Sequence, residues 1–226
     1  MQQWTYALLL IASLAVPLIR SFEHRIHFIG NWRALLAGIF VMMLVFIPWD
    51  VAFSSRGVWG FAPDYVSGLY LIGLPIEEWL FFVVIPYCVM FSFEVIRYFF
   101  PKIYFPKQAL WLSLGIGASL IIVGLLNTDK IYTFITMLLA GALMILMPIL
   151  KYHKTWLSHY FVAYLVTLVP FFIVNGVLTS IPVVWYNNAE NLGIRLTTIP
   201  IEDSAYFMAM MLIVMPVYER LKPKKG

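Results

Sequence analysis

Two short stretches of this 226-residue chain set acidic pairs in apolar surroundings: Glu77 and Glu78 in "GLPIEEWLFF", and Glu202 and Asp203 in "TIPIEDSAYFM". Carboxyl groups whose surroundings differ can divide the work of acid and base between them. The plainer reading is a pair of helix starts, because proline followed by two acids complements the helix dipole. Recurrence tips the balance toward function. An offset of 125 residues lays Pro75, Ile76, Glu77 and Glu78 on Pro200, Ile201, Glu202 and Asp203, and carries Phe46 onto Phe171, Asp50 onto Asn175, Val58 onto Val183, Phe82 onto Phe207, Met90 onto Met215 and Glu94 onto Glu219. Only 11 residues are acidic, and seven of them (Asp50, Glu77, Glu78, Glu94, Glu202, Asp203 and Glu219) fall in this register. Acids buried in a membrane are costly and by default mark function.

The elements that must hold these groups are transmembrane helices. The chain is 62% hydrophobic and 12% charged, with a mean hydropathy of +0.88, too apolar to cover a soluble domain with polar surface. A hydrocarbon core of about 30 Å needs roughly 20 apolar residues per helix. Seven segments qualify: Thr5 to Ile19, Ala34 to Trp49, Pro75 to Phe99, Gln108 to Leu126, Tyr132 to Leu150, His159 to Val177 and Ile199 to Tyr218. Twelve of the 15 basic residues (Arg20, Arg25, Arg33, Arg97, Lys102, Lys107, Lys151, Lys154, Arg220, Lys222, Lys224 and Lys225) fall on one side of this arrangement, leaving Arg56, Lys130 and Arg195 on the other. Positive loops stay cytoplasmic. The expectation is a multi-pass cell-membrane protein with its N-terminus outside and its C-terminus in the cytoplasm. The net charge of +4 follows from that rule and does not point to nucleic acid. The first segment has no basic flank before it and no small-residue cleavage site, so it reads as an anchor helix rather than a removable signal.

The fold class expected is therefore all-α and integral to the membrane. Segments one to three (residues 1–107) and five to seven (131–226) form two repeats, joined by a connector helix at 108–130. Four crossings separate segment one from segment five, so the repeats run parallel, related by a pseudo-two-fold axis along the membrane normal, with a shared interface as the natural binding place. Asp50 closes segment two where Glu77 and Glu78 open segment three, and Asn175 closes segment six where Glu202 and Asp203 open segment seven. Five carboxyl groups and one amide thus reach one layer. The connection from Val51 to Leu74, with Trp59, Phe61, Tyr65 and Tyr70 among glycines, reads as a folded cover over that layer.

Other candidates are weaker. Glu94 and Glu219 stand beside Arg97 and Arg220 as interfacial ion pairs. His24, His27, His153 and His159 lack the partners of a metal site. Cys88, the single cysteine, reads as a small core residue. No nucleotide or flavin fingerprint is present.

Paired P-x-E-[ED] motifs on two three-helix repeats, together with "GVWGFAPDY", resemble the membrane-integral lycopene cyclases of carotenoid synthesis, with the two halves fused. The resemblance is strongest from Ile47 to Glu94 and weaker from Ile199 to Glu219. It implies lycopene as the partner of the site, within the lipid of the membrane, and conversion of its linear ψ ends to β-ionone rings, with β-carotene as product by way of γ-carotene. Protonation of the terminal C1=C2 bond leaves a cation at C1, the C5=C6 bond closes the ring, and loss of the C6 proton completes it. No net redox change occurs, so no cofactor is demanded.

Such chemistry needs an acid, a base and exclusion of water. Glu78 is the expected donor with Glu77 in support, Glu202 and Asp203 the base, and Asp50 a further member. Trp59, Phe61, Tyr65, Trp79, Phe82, Asn175, Tyr206 and Phe207 are the expected wall. The parallel halves build one composite site, so the two ends of the polyene are cyclised in turn. Two alternatives share parts of this pattern: a cyclase of longer C50 carotenoids, and a small proton- or cation-coupled transporter.

Overall fold

The computed structural model describes residues 2–223; Lys224 and Lys225 of the expected basic tail lie outside the described residues. Among the described residues there are seven long helices: α1 (Thr5–Arg20), α2 (Trp32–Ser55), α3 (Ile76–Phe99), α4 (Pro106–Leu125), α5 (Ile131–Ile149), α6 (Leu157–Ser180) and α7 (Glu202–Leu221). Among the described residues, α1 to α6 are long and apolar enough to cross a membrane. The seventh expected span has the length without the apolarity, because α7 also bears Glu202, Asp203, Glu219 and Arg220. Its setting supplies the reason. α7 lies against α2, α3 and α5 and buries most of its side chains between Ala205 and Tyr218. A helix wrapped in protein need not match lipid.

The helix ends differ from expectation where the acids sit. α2 runs past Pro48 to Ser55 and α6 past Pro170 to Ser180, so Asp50 and Asn175 lie inside the last turns rather than closing the helices. Pro75 is extended (φ −62°, ψ 147°) and stands just before α3, not at its first position. In the second half, Ile199 and Pro200 form a strand, and α7 begins only at Glu202.

Short strands occupy the two connections. β1 (Trp59–Phe61), β2 (Tyr70–Leu71) and β3 (Leu74–Pro75) lie between α2 and α3; β4 (Val184–Tyr186), β5 (Arg195–Leu196) and β6 (Ile199–Pro200) lie between α6 and α7. β2 pairs with β3 and β5 with β6 as hairpins. β1 pairs antiparallel with β4, Trp59 opposite Tyr186 and Phe61 opposite Val184, and so stitches the two connections into one hood. The hood keeps a common plan at the 125-residue offset. Ile76 N–H bonds Leu69 O at 2.8 Å and Ile201 N–H bonds Ile194 O at 3.0 Å, while the hairpin residues Ile72 (φ 51°) and Thr197 (φ 61°) are both left-handed.

The helices exchange partners between the halves. α1 packs on α3 and α5 on α7 within their own halves, but α2 packs on α7 and α6 on α3. The helices before α4 and those after it therefore interlock. At the end away from the hood, side-chain contacts tie α3 to α7: Arg97 donates to both Glu219 oxygens at 2.7 and 3.1 Å, Lys222 to Glu94 at 3.4 Å, and the Tyr218 hydroxyl to Glu94 at 2.9 Å. Glu219 is thus paired across helices rather than with its neighbour Arg220, whose side chain projects elsewhere because successive helical residues differ by about 100°.

The connector α4 packs on α5 through Gly117 and Gly141, where small residues allow close helix approach. A Cβ on Gly141 would stand 2.7 Å from the Gly117 carbonyl oxygen, and one on Gly117 2.8 Å from that of Gly141. Gly141→Leu is expected to push α4 off α5 and to destabilise the protein by about 1–3 kcal/mol, read as a lowered Tm in detergent; Gly115→Leu, with open space around it, is expected to leave the Tm unchanged.

Candidate functional site

Beneath the hood a cavity of about 50 Å³ is lined by residues of both halves. Asp50 reaches it from α2, Glu78 and Phe81 from α3, Asn175 and Phe171 from α6, and Asp203 and Tyr206 from α7, while Trp59, Phe61, Val184 and Tyr186 close it from the hood and Tyr6 and Tyr132 from α1 and α5. Helix geometry explains the recurrent spacing. Residues three apart share a face, which brings Phe81 in with Glu78 and Tyr206 in with Asp203. Glu77 and Glu202 are turned about 100° away.

That rotation splits each acidic pair. Glu77 Oε1 accepts the Ser67 backbone N–H at 2.8 Å, and Glu202 Oε1 accepts the Leu192 N–H at 2.8 Å together with the Thr133 hydroxyl at 2.6 Å. Both side chains are buried, at 1% and 0% exposure, and both anchor the hood to the start of a helix. The sequence places all five carboxyl groups in one layer. In the structure three of them, Asp50, Glu78 and Asp203, line the cavity, and Glu77 and Glu202 do not.

Each cavity carboxyl has protein donors. Tyr6 O–H donates to Glu78 Oε2 at 2.6 Å and Trp59 Nε1–H to Asp50 Oδ1 at 2.6 Å. Asp203 receives two phenols, Tyr132 on Oδ1 at 2.5 Å and Tyr186 on Oδ2 at 2.8 Å. Burial foremost, and then the nearby Asp203 carboxylate, pushes the Tyr186 phenol well above the usual tyrosine range, so it stays a donor at neutral pH. Two O–H donors satisfy an ionised carboxylate, which only accepts. Asp50 Oδ2, by contrast, is buried without a partner.

The wall is aromatic. Trp59 stands 5.1 Å from Tyr132, Tyr132 stacks on Tyr186 at 6.0 Å, and Tyr206 meets Phe46 at 4.7 Å and Trp49 at 4.9 Å. Of the expected wall residues, Trp59, Phe61, Asn175 and Tyr206 line the cavity. Tyr65, Trp79, Phe82 and Phe207 do not. Trp79 faces away and donates to Leu71 O at 3.1 Å. Phe82, four residues beyond Glu78, is fully buried one turn below against Phe46, while Tyr65 is half-buried against the main hydrophobic core. Phe207 stacks on Phe171 at 4.3 Å, beneath the cavity. Tyr6, Tyr132, Tyr186 and Phe81 were not anticipated. A tyrosine near the start of segment one and another at the start of segment five were the available signal for the first two; they miss the 125-residue offset by a single position.

The two sorts of acid differ in their expected response to neutralisation. Glu202→Gln disturbs a carboxylate that holds a backbone N–H and a threonine, with an expected cost of about 1–3 kcal/mol, seen as a lower Tm in detergent. Glu78→Gln, whose carboxyl faces the cavity with one phenol partner, is expected to lower the Tm less; the reverse order would overturn the division into anchoring and cavity-facing acids.

Comparison with known proteins finds a family model described as lycopene cyclase matching residues 3–96 and 129–221. Two curated fungal proteins are similar over part of the chain, each described as a bifunctional lycopene cyclase/phytoene synthase. The one from Podospora anserina is 34% identical over 77 residues, 34% of this chain and 12% of its own length. The one from Neurospora crassa is 31% identical over 81 residues, 36% of this chain and 12% of its own. The alignments thus span only 12% of either relative. No solved structure matches the chain.

Proposed function

We propose, given that this chain belongs to the lycopene cyclase family, that it closes the ψ ends of lycopene into β-ionone rings, using Glu78 as proton donor and Asp203 as the group that receives the proton back. The observation that carries this reading is the cavity beneath the hood, in which three carboxyl groups from both halves meet an aromatic wall.

The step balances without a cofactor. Glu78 delivers a proton to C2 of the terminal C1=C2 bond, leaving a cation at C1. The π pair of C5=C6 forms the C1–C6 bond, moving the cation to C5, and loss of the C6 proton restores a C5=C6 double bond. One proton enters and one leaves for each ring. Glu78 has a single phenol partner, which suits a carboxyl that carries a proton toward substrate. Asp203, with a phenol on each oxygen, suits an anion that stabilises the cation and then accepts a proton. Asp50 sits between the halves with one free oxygen and supports the donor side. Trp59, Phe61, Phe81 and Tyr206 surround the position where the cation forms, and cation–π attraction is worth about 2 kcal/mol when desolvated. The hood excludes water that would trap the cation. Because the cavity is far below the roughly 300 Å³ of a small-molecule pocket, an incoming end group must turn aside part of this wall. Lysine and arginine placement supports a hood on the outer side of the membrane and a cytoplasmic C-terminus.

Expression in lycopene-accumulating bacteria tests the reading. The expected result is a pigment extract shifted from lycopene to β-carotene, with deuterium from heavy water retained at C2 of each new ring; unchanged pigment would overturn it and favour transport. Glu78→Gln and Asp203→Asn are each expected to cut turnover by about 10²- to 10⁴-fold, whereas Tyr186→Phe, which removes one of two donors to Asp203, is expected to cost about tenfold. Full activity in Glu78→Gln would remove it as donor.

A further inference from the structure

A second cavity, of about 380 Å³, runs between α1, α3 and α6 below the first. Its walls are apolar or small: Ser13 on α1, Cys88 and Ser92 on α3, and Phe171 on α6. Phe171 lines both cavities, and Phe207, which also lines the lower one, is stacked on it. The two spaces therefore meet at one aromatic side chain. Along α3 the lower wall spans Ile85 to Ser92, about 10 Å of helix at 1.5 Å per residue, beginning two turns below Glu78. Its outer side reaches the lipid-facing surface, where Ile173 is 63% exposed.

The other half has been filled at this place. In the 125-residue register Cys88 and Ser92 become Ile213 and Val217, and Ala12 and Ser13 become Met137 and Leu138. Larger side chains occupy on that side what small ones leave open on this one.

We infer that the groove between α1, α3 and α6 holds the stretch of polyene that adjoins the reacting end group, which occupies the carboxylate cavity above, with Phe171 at the junction and the remaining chain running out to the lipid-facing side. This rests on the cyclase reading. Its volume falls in the range of small-molecule pockets, its depth follows on from the acids, and its apolar lining suits a hydrocarbon that has no polar group to satisfy. One groove serving one cavity makes the reaction sequential: after the first ring closes, the product must leave and return with its other end leading.

Two measurements test the groove. Cys88→Phe and Ser92→Phe, assayed in membranes against lycopene and against a shortened polyene with the same end group, are expected to raise the KM for lycopene by about tenfold or more, a loss of ground-state binding, while the shortened substrate is turned over as by the unaltered protein. Equal effects on both substrates would overturn the proposal. Independently, Cys88 is the sole thiol of the chain, so its modification by N-ethylmaleimide in native membranes, followed by mass spectrometry, reports directly on the groove. Lycopene is expected to slow the modification about tenfold; no protection would overturn the proposal even if the phenylalanine variants fail to fold. If the unaltered protein cyclises neither substrate, the cyclase reading itself falls; cyclisation of lycopene with an unprotected Cys88 rejects the groove alone.

Discussion

A carboxyl group enclosed among membrane helices has no water to bond, so every partner it keeps must be supplied by the fold. Six acidic side chains of this protein are buried in that sense: Asp50, Glu77, Glu78, Glu94, Glu202 and Asp203. Much of the architecture follows from providing their donors. Glu77 and Glu202 take backbone N–H groups of the hood, Glu78 and Asp203 take tyrosines of α1 and α5, and Asp50 takes the indole of Trp59. The hood is held down by the first acid of each pair, and the cavity is furnished by the second.

The exchange of α2 and α6 between the halves is what makes the cavity composite. Asp50 and Asn175 descend from these helices, each packed on the third helix of the other half, and the β1–β4 ladder repeats the exchange in the hood. Neither half alone can present a carboxyl from α2 beside one from α7. The Arg97–Glu219 pairing holds α3 and α7 together at the opposite end, so that the two helices bearing Glu78 and Asp203 are fixed at both ends. Rigidity of that kind would serve the cation intermediate of the proposed reaction, since stabilisation by preset groups needs no rearrangement as charge develops.

The 125-residue register breaks at positions where the proposed chemistry needs direction. Corresponding positions carry Asp50 and Asn175, Phe81 and Tyr206, Cys88 and Ile213. One side of the cavity therefore differs from the other in charge, in donors and in the space below it, and the proposed reaction, which gives a proton at one carbon and collects it at another, requires such a difference.

The membrane setting, the count of long helices and the acidic pairs could be read directly from the chain, because hydropathy over twenty residues and acids in an acid-poor sequence are local signals. So could the register linking Pro75 to Pro200. Which acid of each pair faces the cavity could not, since a 100° step along a helix has meaning only once the helix is rotated against its neighbours. Phe82 was expected where Phe81 stands for the same reason. Tyr6, Tyr132 and Tyr186 lie 72, 71 and 17 residues from the carboxyls they serve, and no periodicity announces a bond across such a distance. The sequence by itself determined that carboxyl groups would be buried in an apolar membrane body; the tertiary structure alone decided which became anchors and which were left facing the cavity, because only packing brings their donors within reach.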